Sequence, residues 1–323
     1  MKYRAALAAF AVLSVVFVLI AGDSPGTMLT RLANGEVLIQ QATAPGSYQR
    51  IEAATDLQSW TPLVTLLSTG ALSHTDSAAP YFNQRFYRVQ TLASAPALTG
   101  DHLMTAAGEV VIHPLYHASL VMSWNGKTIY SDPDDDPAYE SRYAGLPKAD
   151  LILITHEHGD HYSASKIGAL RNSNAVIVVP QRVYDMDSFA PYRTVGGTVL
   201  SYGASTNVMG IDVQAVPGYN GNHSFGVNNC YVLTIGGKRI FISGDTGDVP
   251  EIRAVPNIDV AFVCMNVFTM TVTQAANVVR AMRPKVVFPY HYRNSPTTFS
   301  DVNSFKQQVG TDLGIEVRLR AWY

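Results

Sequence analysis

The sequence predicts a layered α/β protein, with sheets buried between helices, preceded by a small all-β domain. Three observations predict it. Short apolar runs of strand length dominate from Glu109 to about Thr155. Strands then alternate with helix-spaced segments, such as "SASKIGALRN" and "TVTQAANVVRAM". Before Ala93 the texture changes to period-2 runs broken by Gly, Pro, Ser and Asp.

The chain has 323 residues, a formal net charge of -2 and 47% hydrophobic residues. That is enough for one large core and a smaller one. Lys and Arg are not clustered, so nucleic acid is not expected as a partner. Cys230 and Cys264 each sit inside an apolar strand-like run. Nothing near them resembles a metal knuckle or a redox motif, and whether they pair depends on their separation in the fold.

"MKYRAALAAFAVLSVVFVLIAG" carries Lys2 and Arg4, then an apolar run to Ala21. Residues 1–22 read as a secretory signal or an uncleaved N-terminal anchor. Export is the expectation, to the periplasm or the medium, with cleavage favoured over retention. Contact with a membrane is expected only through this segment.

Residues 27–95 hold "EVLIQQA", "YQRIEAA", "WTPLVTLL" and "RFYRVQT", separated by turn signals. They read as a small β-sandwich-like module. Asp56, Leu57 and Trp60, with the closing Phe86, Tyr87 and Arg88, resemble a β module of secreted bacterial proteins. Trp60, Phe86 and Tyr87 are expected in its core. "ASAPALTGD" reads as a linker, and residues 103–323 as the large domain.

In the large domain, Asn125-Gly126 predicts a tight hairpin between "SLVMSW" and "KTIYSDP". "ADLILIT" is apolar throughout and predicts a strand buried on both faces. "NAVIVVP", "TVLSY", "IDVQAVPG", "CYVLTIGG", "RIFISGDT" and "DVAFVCMN" are further strand candidates, and "KVVFPYHY" reads as the last central strand.

"THEHGDH" follows the buried strand directly and places His156, His158, Asp160 and His161 within six positions. A helical zinc-protease motif needs two histidines four apart, but Asp160 stands four after His156 and Gly159 interrupts the run. The cluster is therefore a loop at a strand end. One histidine there would be ordinary for a solvated loop. Three with an aspartate suit zinc or a similar divalent ion. Later strand ends offer more donors: His223 in "YNGNHSFG", Asp245 in "FISGDTGD" and His291 in "VVFPYHYRN".

With "LYHASL", "YSDP", "THEHGDH", "HSFG", "SGDTG" and "PYHY", the chain from about Glu109 onward resembles the metallo-β-lactamase fold superfamily of hydrolases. The nearest branch includes ascorbate-phosphate lactonase-like proteins and the N-acyl-phosphatidylethanolamine phospholipase D. The resemblance implies an αββα sandwich with two divalent metals at one edge. It implies that His156, His158 and His223 hold the first ion, that Asp160, His161 and His291 hold the second, and that Asp245 bridges them. Asn220 stands as the alternative to His223, because "YNGN" departs from the short turn usual there. Asp132 is implied as a brace for the metal loop. His117 is implied as a pocket or bracing residue, although Tyr116 replaces the glycine common before it. His74, His102 and His113 match nothing in the family.

The implied activity is hydrolysis by a hydroxide bridging two metals, zinc by preference and manganese or iron otherwise. Asp160 would orient that nucleophile, and with His117 it makes the catalytic pair. No Gly-x-Ser-x-Gly elbow signals a protein nucleophile. An ester, lactone or phosphodiester of a small-molecule or lipid-like substrate is the expected target, but the fold does not select among them. Two other readings stay open. One is an exported binding protein whose β module docks on a surface, with a weak or vestigial metal domain. The other is a di-iron oxidoreductase, which would normally need a flavin partner domain.

Overall fold

The computed structural model describes residues 26–323, so the segment read as a signal or anchor lies outside the described residues. The chain divides into two units. One runs to Leu63 and includes Leu67–Leu92, and the other comprises Val64–Leu66 with Ala93–Tyr323.

The first unit is built from β1 (Met28–Arg31), β2 (Val37–Ala42), β3 (Tyr48–Ala54), β5 (Ala71–Asp76) and β6 (Phe86–Thr91), and β4 (Thr61–Leu67) is divided between the units, Val64–Leu66 counting with the second. β2 lies between β1 and β5, antiparallel to both, and β3 pairs antiparallel with β6. Alternation along β2 buries Val37 and Ile39 and leaves Leu38 and Gln40 partly exposed. Phe86 and Tyr87 are buried, and the Tyr87 hydroxyl donates to Asp76 Oδ2 at 2.9 Å. Trp60 is only half-buried, with the Arg88 guanidinium 4.5 Å from its ring centroid. In the turn before it, Asp56 Oδ1 accepts from the Gln58 and Ser59 amides at 2.9 and 2.7 Å.

The second unit holds two sheets. The first contains β7 (Gly100–Thr105), β8 (Gly108–Tyr116), β9 (Ser119–Trp124), β10 (Lys127–Ser131), β11 (Ala149–Leu153), β12 (Arg171–Val179) and β13 (Gly197–Val199), side by side in that order. The second contains β14 (Ser205–Val208), β15 (Ile211–Gly218), β16 (Asn228–Ile235), β17 (Lys238–Ile242), β18 (Val260–Cys264), β19 (Val286–Tyr290) and β22 (Glu316–Val317), again in order. β20 (Arg293–Ser295) and β21 (Thr298–Phe299) form a separate hairpin. The helices are α1 (Ala164–Leu170), α2 (Gln181–Tyr184), α3 (Pro250–Arg253), α4 (Val272–Met282) and α5 (Val302–Val309).

Strand periodicity explains the layers. Along β11, Leu151 and Leu153 enter a core shared with Val213, Val232, Phe241 and Phe262 of the second sheet. Ile152, between them, faces a separate core with Ile167 and Leu170 of α1. α4 buries Ala275, Ala276, Val278, Val279 and Met282 against the second sheet. A capping box starts α4: Thr271 accepts from the Gln274 amide, and the Gln274 side chain accepts from the Thr271 amide. The result is an α/β/β/α sandwich. Asn125 and Gly126 both take positive φ, 49° and 72°, as a two-residue hairpin turn requires.

Three details differ from the sequence reading. β19 is the last central strand, as read, but the short β22, which the reading did not include, pairs outside it in parallel. α5 has no strong sequence signal, since Phe305 and Val309 are its only buried residues. Gly100 and Asp101, read as linker, already belong to β7. Asp101 is buried there because Arg320 approaches it with two nitrogens at 2.7 and 2.8 Å, a pairing across the chain with no local signal. Cys230 and Cys264 are both free, buried thiols.

Phe262 stacks on Phe288 at 5.1 Å in the centre of the second sheet. Phe262→Ala should lower the unfolding free energy of this unit by about 3–5 kcal/mol, as measured by urea denaturation.

Candidate metal centre

The site residues come from the loops that leave one end of both sheets. Asp132 follows β10 and Thr155–His161 follow β11. His223 follows β15, Asp245 follows β17 and His291 follows β19. His117 sits in the two-residue turn between β8 and β9. Three of these residues have left-handed backbones: His117 at φ 54°, Asp132 at 45° and His291 at 49°. Non-glycine residues rarely adopt this conformation, and when they do the surrounding contacts hold them there. Gly244 prepares the approach of Asp245. It has φ 52°, and a Cβ there would lie 2.7 Å from Thr155 Cβ and from Asn228 Oδ1.

Asp132 organises the metal loop. Its carboxylate is fully buried and accepts from the Thr155 amide, the Thr155 hydroxyl and His161 Nδ1, at 2.7, 2.7 and 2.9 Å. With its Nδ1–H donated to Asp132, His161 presents Nε2 as a lone pair. Thr155 spends its proton on Asp132, so its oxygen accepts from His156 Nδ1 at 3.1 Å. His156 Nε2 therefore also presents a lone pair, and it is buried without a hydrogen bond. His223 follows the same rule, since its Nδ1 stands 3.1 Å from Asn220 Oδ1 and its Nε2 faces His158 Nδ1 at 3.1 Å. Asn220 Oδ1 also accepts the His223 amide at 3.0 Å, so the residue weighed as an alternative ligand orients His223.

The second half of the cluster surrounds Asp245 and Asp160. Asp245 Oδ1 lies 3.1 Å from His291 Nε2 and 3.3 Å from His161 Nε2, in a geometry that makes no hydrogen bond. His161 Nε2 and His291 Nε2 stand 3.0 Å apart. Asp160 Oδ2 lies 3.5 Å from His291 Nε2 and 2.9 Å from His117 Nε2. Three sets of side chains thus bring ligand atoms within 4.8 Å of one another: His156, His158 and His223; His156, His161 and Asp245; and His117, Asp160 and His291. Converging imidazole lone pairs, carboxylates and buried unpartnered atoms fit divalent cations. His74, His102 and His113 belong to none of these sets.

The electrostatics favour positive charge at the imidazoles of His161 and His291, carried either by a proton or by a cation at the lone pair. Burial opposes a charge on His161, but Asp245, Asp160 and Asp132 outweigh it and raise its pKa well above the usual imidazole value. Burial likewise opposes charge on His291, yet Asp245 and Asp160 raise it to about 9. Burial would raise Asp245, but His291 and His161 hold it well below the ordinary carboxylate range. The cluster is an excess of buried carboxylate that draws positive charge inward.

Two further residues at the site are absent from the sequence reading. Asn266 follows β18 and reaches both Nδ1 and the backbone carbonyl of His291, at 2.9 and 3.0 Å. It occupies a strand end, as the ligand candidates do, and that placement could have marked it. Tyr323 lies 206 positions from His117, yet its hydroxyl is 2.9 Å from His117 Nδ1. The Arg293 amide donates to the Tyr323 oxygen at 3.2 Å, which leaves the phenol proton for Nδ1. His117 then carries its proton on Nε2 and donates it to Asp160.

Two sheets packed face to face, helices outside, and a His/Asp cluster at one sheet edge define a metal-dependent hydrolase of the metallo-β-lactamase fold. The chain belongs to the beta-lactamase superfamily, whose domain profile matches residues 112–291, more than half of its length. It is similar to a UPF0173 metal-dependent hydrolase of Pyrococcus abyssi, 31% identical over 63% of this chain and 93% of that one. A solved structure described as a metal-dependent hydrolase, from Parabacteroides distasonis, is 35% identical with a TM-score of 0.60. It covers 69% of this chain and 99% of its own. A metallo hydrolase of Ignicoccus hospitalis shares the fold at 24% identity and a TM-score of 0.56, over 65% of this chain and 94% of its own.

Asp132→Ala would strand the buried donors of Thr155 and His161, and should cost about 3–5 kcal/mol in denaturant unfolding. Tyr323→Phe should cost about 1 kcal/mol. Nitrogen-15 NMR of its His117 ring should then show a mixture of tautomers in place of the single Nε2–H form.

Proposed function

We propose that this protein hydrolyses an ester, lactone or phosphodiester bond with two divalent cations. His156, His158 and His223 would hold one, Asp160, His161 and His291 the other, and Asp245 would serve both. Zinc is the preferred metal, with manganese or iron as alternatives. One observation carries the reading: two buried atoms without hydrogen bonds, His156 Nε2 and Asp245 Oδ1, lie inside overlapping sets of converging donors. Bound cations would supply Lewis acidity and shift the pKa of water from about 16 towards 7.

The chain's own groups supply orientation and proton handling. Asp160 stands at the opening, its side chain 44% exposed, while the imidazoles of His117, His161 and His291 are buried. Burial would raise its pKa, but His161 and the hydrogen bonds from His117 and His291 hold it far below the usual range. It therefore stays ionised and can accept a hydrogen bond that orients the attacking group towards the substrate. His117, locked by Tyr323, fixes the direction in which that carboxylate points. The apolar run after Lys2 and Arg4 supports an exported protein and a substrate outside the cytoplasm, a small molecule or lipid-like compound.

Metal content per chain tests the reading. Protein purified without added metal or chelator should carry two equivalents of zinc, or of zinc mixed with manganese. Asp245→Ala should retain at most one and lose lactone and phosphodiester hydrolysis by at least about 100-fold. Full hydrolysis by a stably metal-free Asp245→Ala protein would overturn the mechanism, and failure to take up any metal on reconstitution would overturn the site.

A further inference from the structure

Two loops beside the cluster expose large apolar side chains to water. Phe225 is 65% exposed, Val267 69% and Phe268 57%. Burying side chains of this size is favourable, so three left in water on loops that are tied together call for an explanation.

Their place in the fold supplies one. Phe225 stands two residues after His223, and Val267 and Phe268 directly follow Asn266, which touches His291. The loops are tied together, because Asn222 Nδ2 donates to the Phe268 carbonyl at 2.9 Å. Their backbones are also pinned. The Val267 amide donates to Asn294 Oδ1 at 3.0 Å, and the Phe268 amide to Asn266 Oδ1 at 2.8 Å. The Phe225 ring rests edge-on against Tyr202 and Tyr219, with centroids 4.9 and 5.4 Å apart. The apolar groups are held on ordered loops that also position His223 and His291. His158 and Asp160 are the water-accessible members of the cluster, and His158 Nδ1 lies 3.1 Å from Nε2 of His223, on the loop that carries Phe225.

We propose that Phe225, Val267 and Phe268 form a subsite for an apolar acyl or aryl group of the substrate, attached to the polar bond cleaved at the metal centre. This rests on the reading of the cluster as a metal centre. The occupant is part of the substrate because the patch is continuous with the site: the loops that expose it are the loops that orient His223 and His291. The substrate class is therefore amphiphilic, with a metal-seeking carbonyl or phosphoryl head and an apolar chain or ring on the rim.

Straight-chain hydroxamic acids test this, because their head chelates zinc and is not a substrate for the proposed cleavage. Calorimetric titration of the zinc-loaded full chain would compare acetohydroxamate with its homologues up to the eight-carbon acid. Affinity should rise about three- to fourfold per added methylene until the rim is covered. A Phe225→Ala/Phe268→Ala double variant, altered only at exposed side chains, should flatten that slope. Acetohydroxamate, too short to reach the rim, should bind both proteins alike. A flat slope in the unaltered protein, with acetohydroxamate still bound, would overturn the subsite and leave the metal centre standing. So would an unchanged slope in the double variant. A flat slope together with self-association in sedimentation that the double variant abolishes would assign the rim to a second copy and overturn the proposal. If no hydroxamate of any length binds, the metal-centre reading fails, and the subsite fails with it.

Discussion

The Asp132 carboxylate is the interaction on which the site depends. It is fully buried, and a buried carboxylate is tolerable only when its oxygens are occupied. Three donors occupy them, all from the loop after β11: the Thr155 amide, the Thr155 hydroxyl and His161 Nδ1. Its own backbone is fastened as well, with its amide donating to the Leu153 carbonyl at 2.9 Å. The left-handed backbone at Asp132 is the conformation these contacts hold in place. Through Thr155 the same carboxylate sets the proton position on His156, and directly it sets that on His161. One acid thus decides which nitrogen two histidines present.

That arrangement recurs around the cluster with different chemistry. Asn220 orients His223 through an amide oxygen, and Tyr323 orients His117 through a phenol. In each case the nitrogen remote from the reacting edge is engaged. For His156, His161 and His223 the remaining nitrogen keeps its lone pair, whereas for His117 it keeps its proton. His117 is thereby suited to hydrogen-bond a carboxylate rather than to bind a cation, which fits its contact with Asp160. The distinction between donor and ligand is made by neighbours, since the imidazole is the same in each.

The scaffold and the rim divide the work. The donors sit where parallel and antiparallel strands end, and those strands are packed between two cores with little freedom to shift. The apolar residues at the opening sit on the connecting loops, where side chains can vary without disturbing the sheets. A fold of this kind can keep one bond-cleaving centre while changing what the centre is offered.

The sequence by itself determined strands β8–β13 and β15–β19 and helices α1 and α4, because period-2 and helical apolar patterns are local properties. It also marked His156, His158, Asp160, His161, His223, Asp245 and His291, because ligand types concentrated at strand ends are visible along the chain. It could not choose between His223 and Asn220 as the inward group. That choice rests on a 3.1 Å contact between their side chains, which only the folded loop defines. Asp101 looked like linker because its partners Arg318 and Arg320 are more than two hundred residues away. Tyr323 was invisible as a site residue for the same reason, and Asn266 was marked only by its place at a strand end: the roles of both are contacts across the fold. Tertiary structure alone decided which nitrogen each histidine presents and which apolar side chains stay in water, because both follow from how distant segments pack.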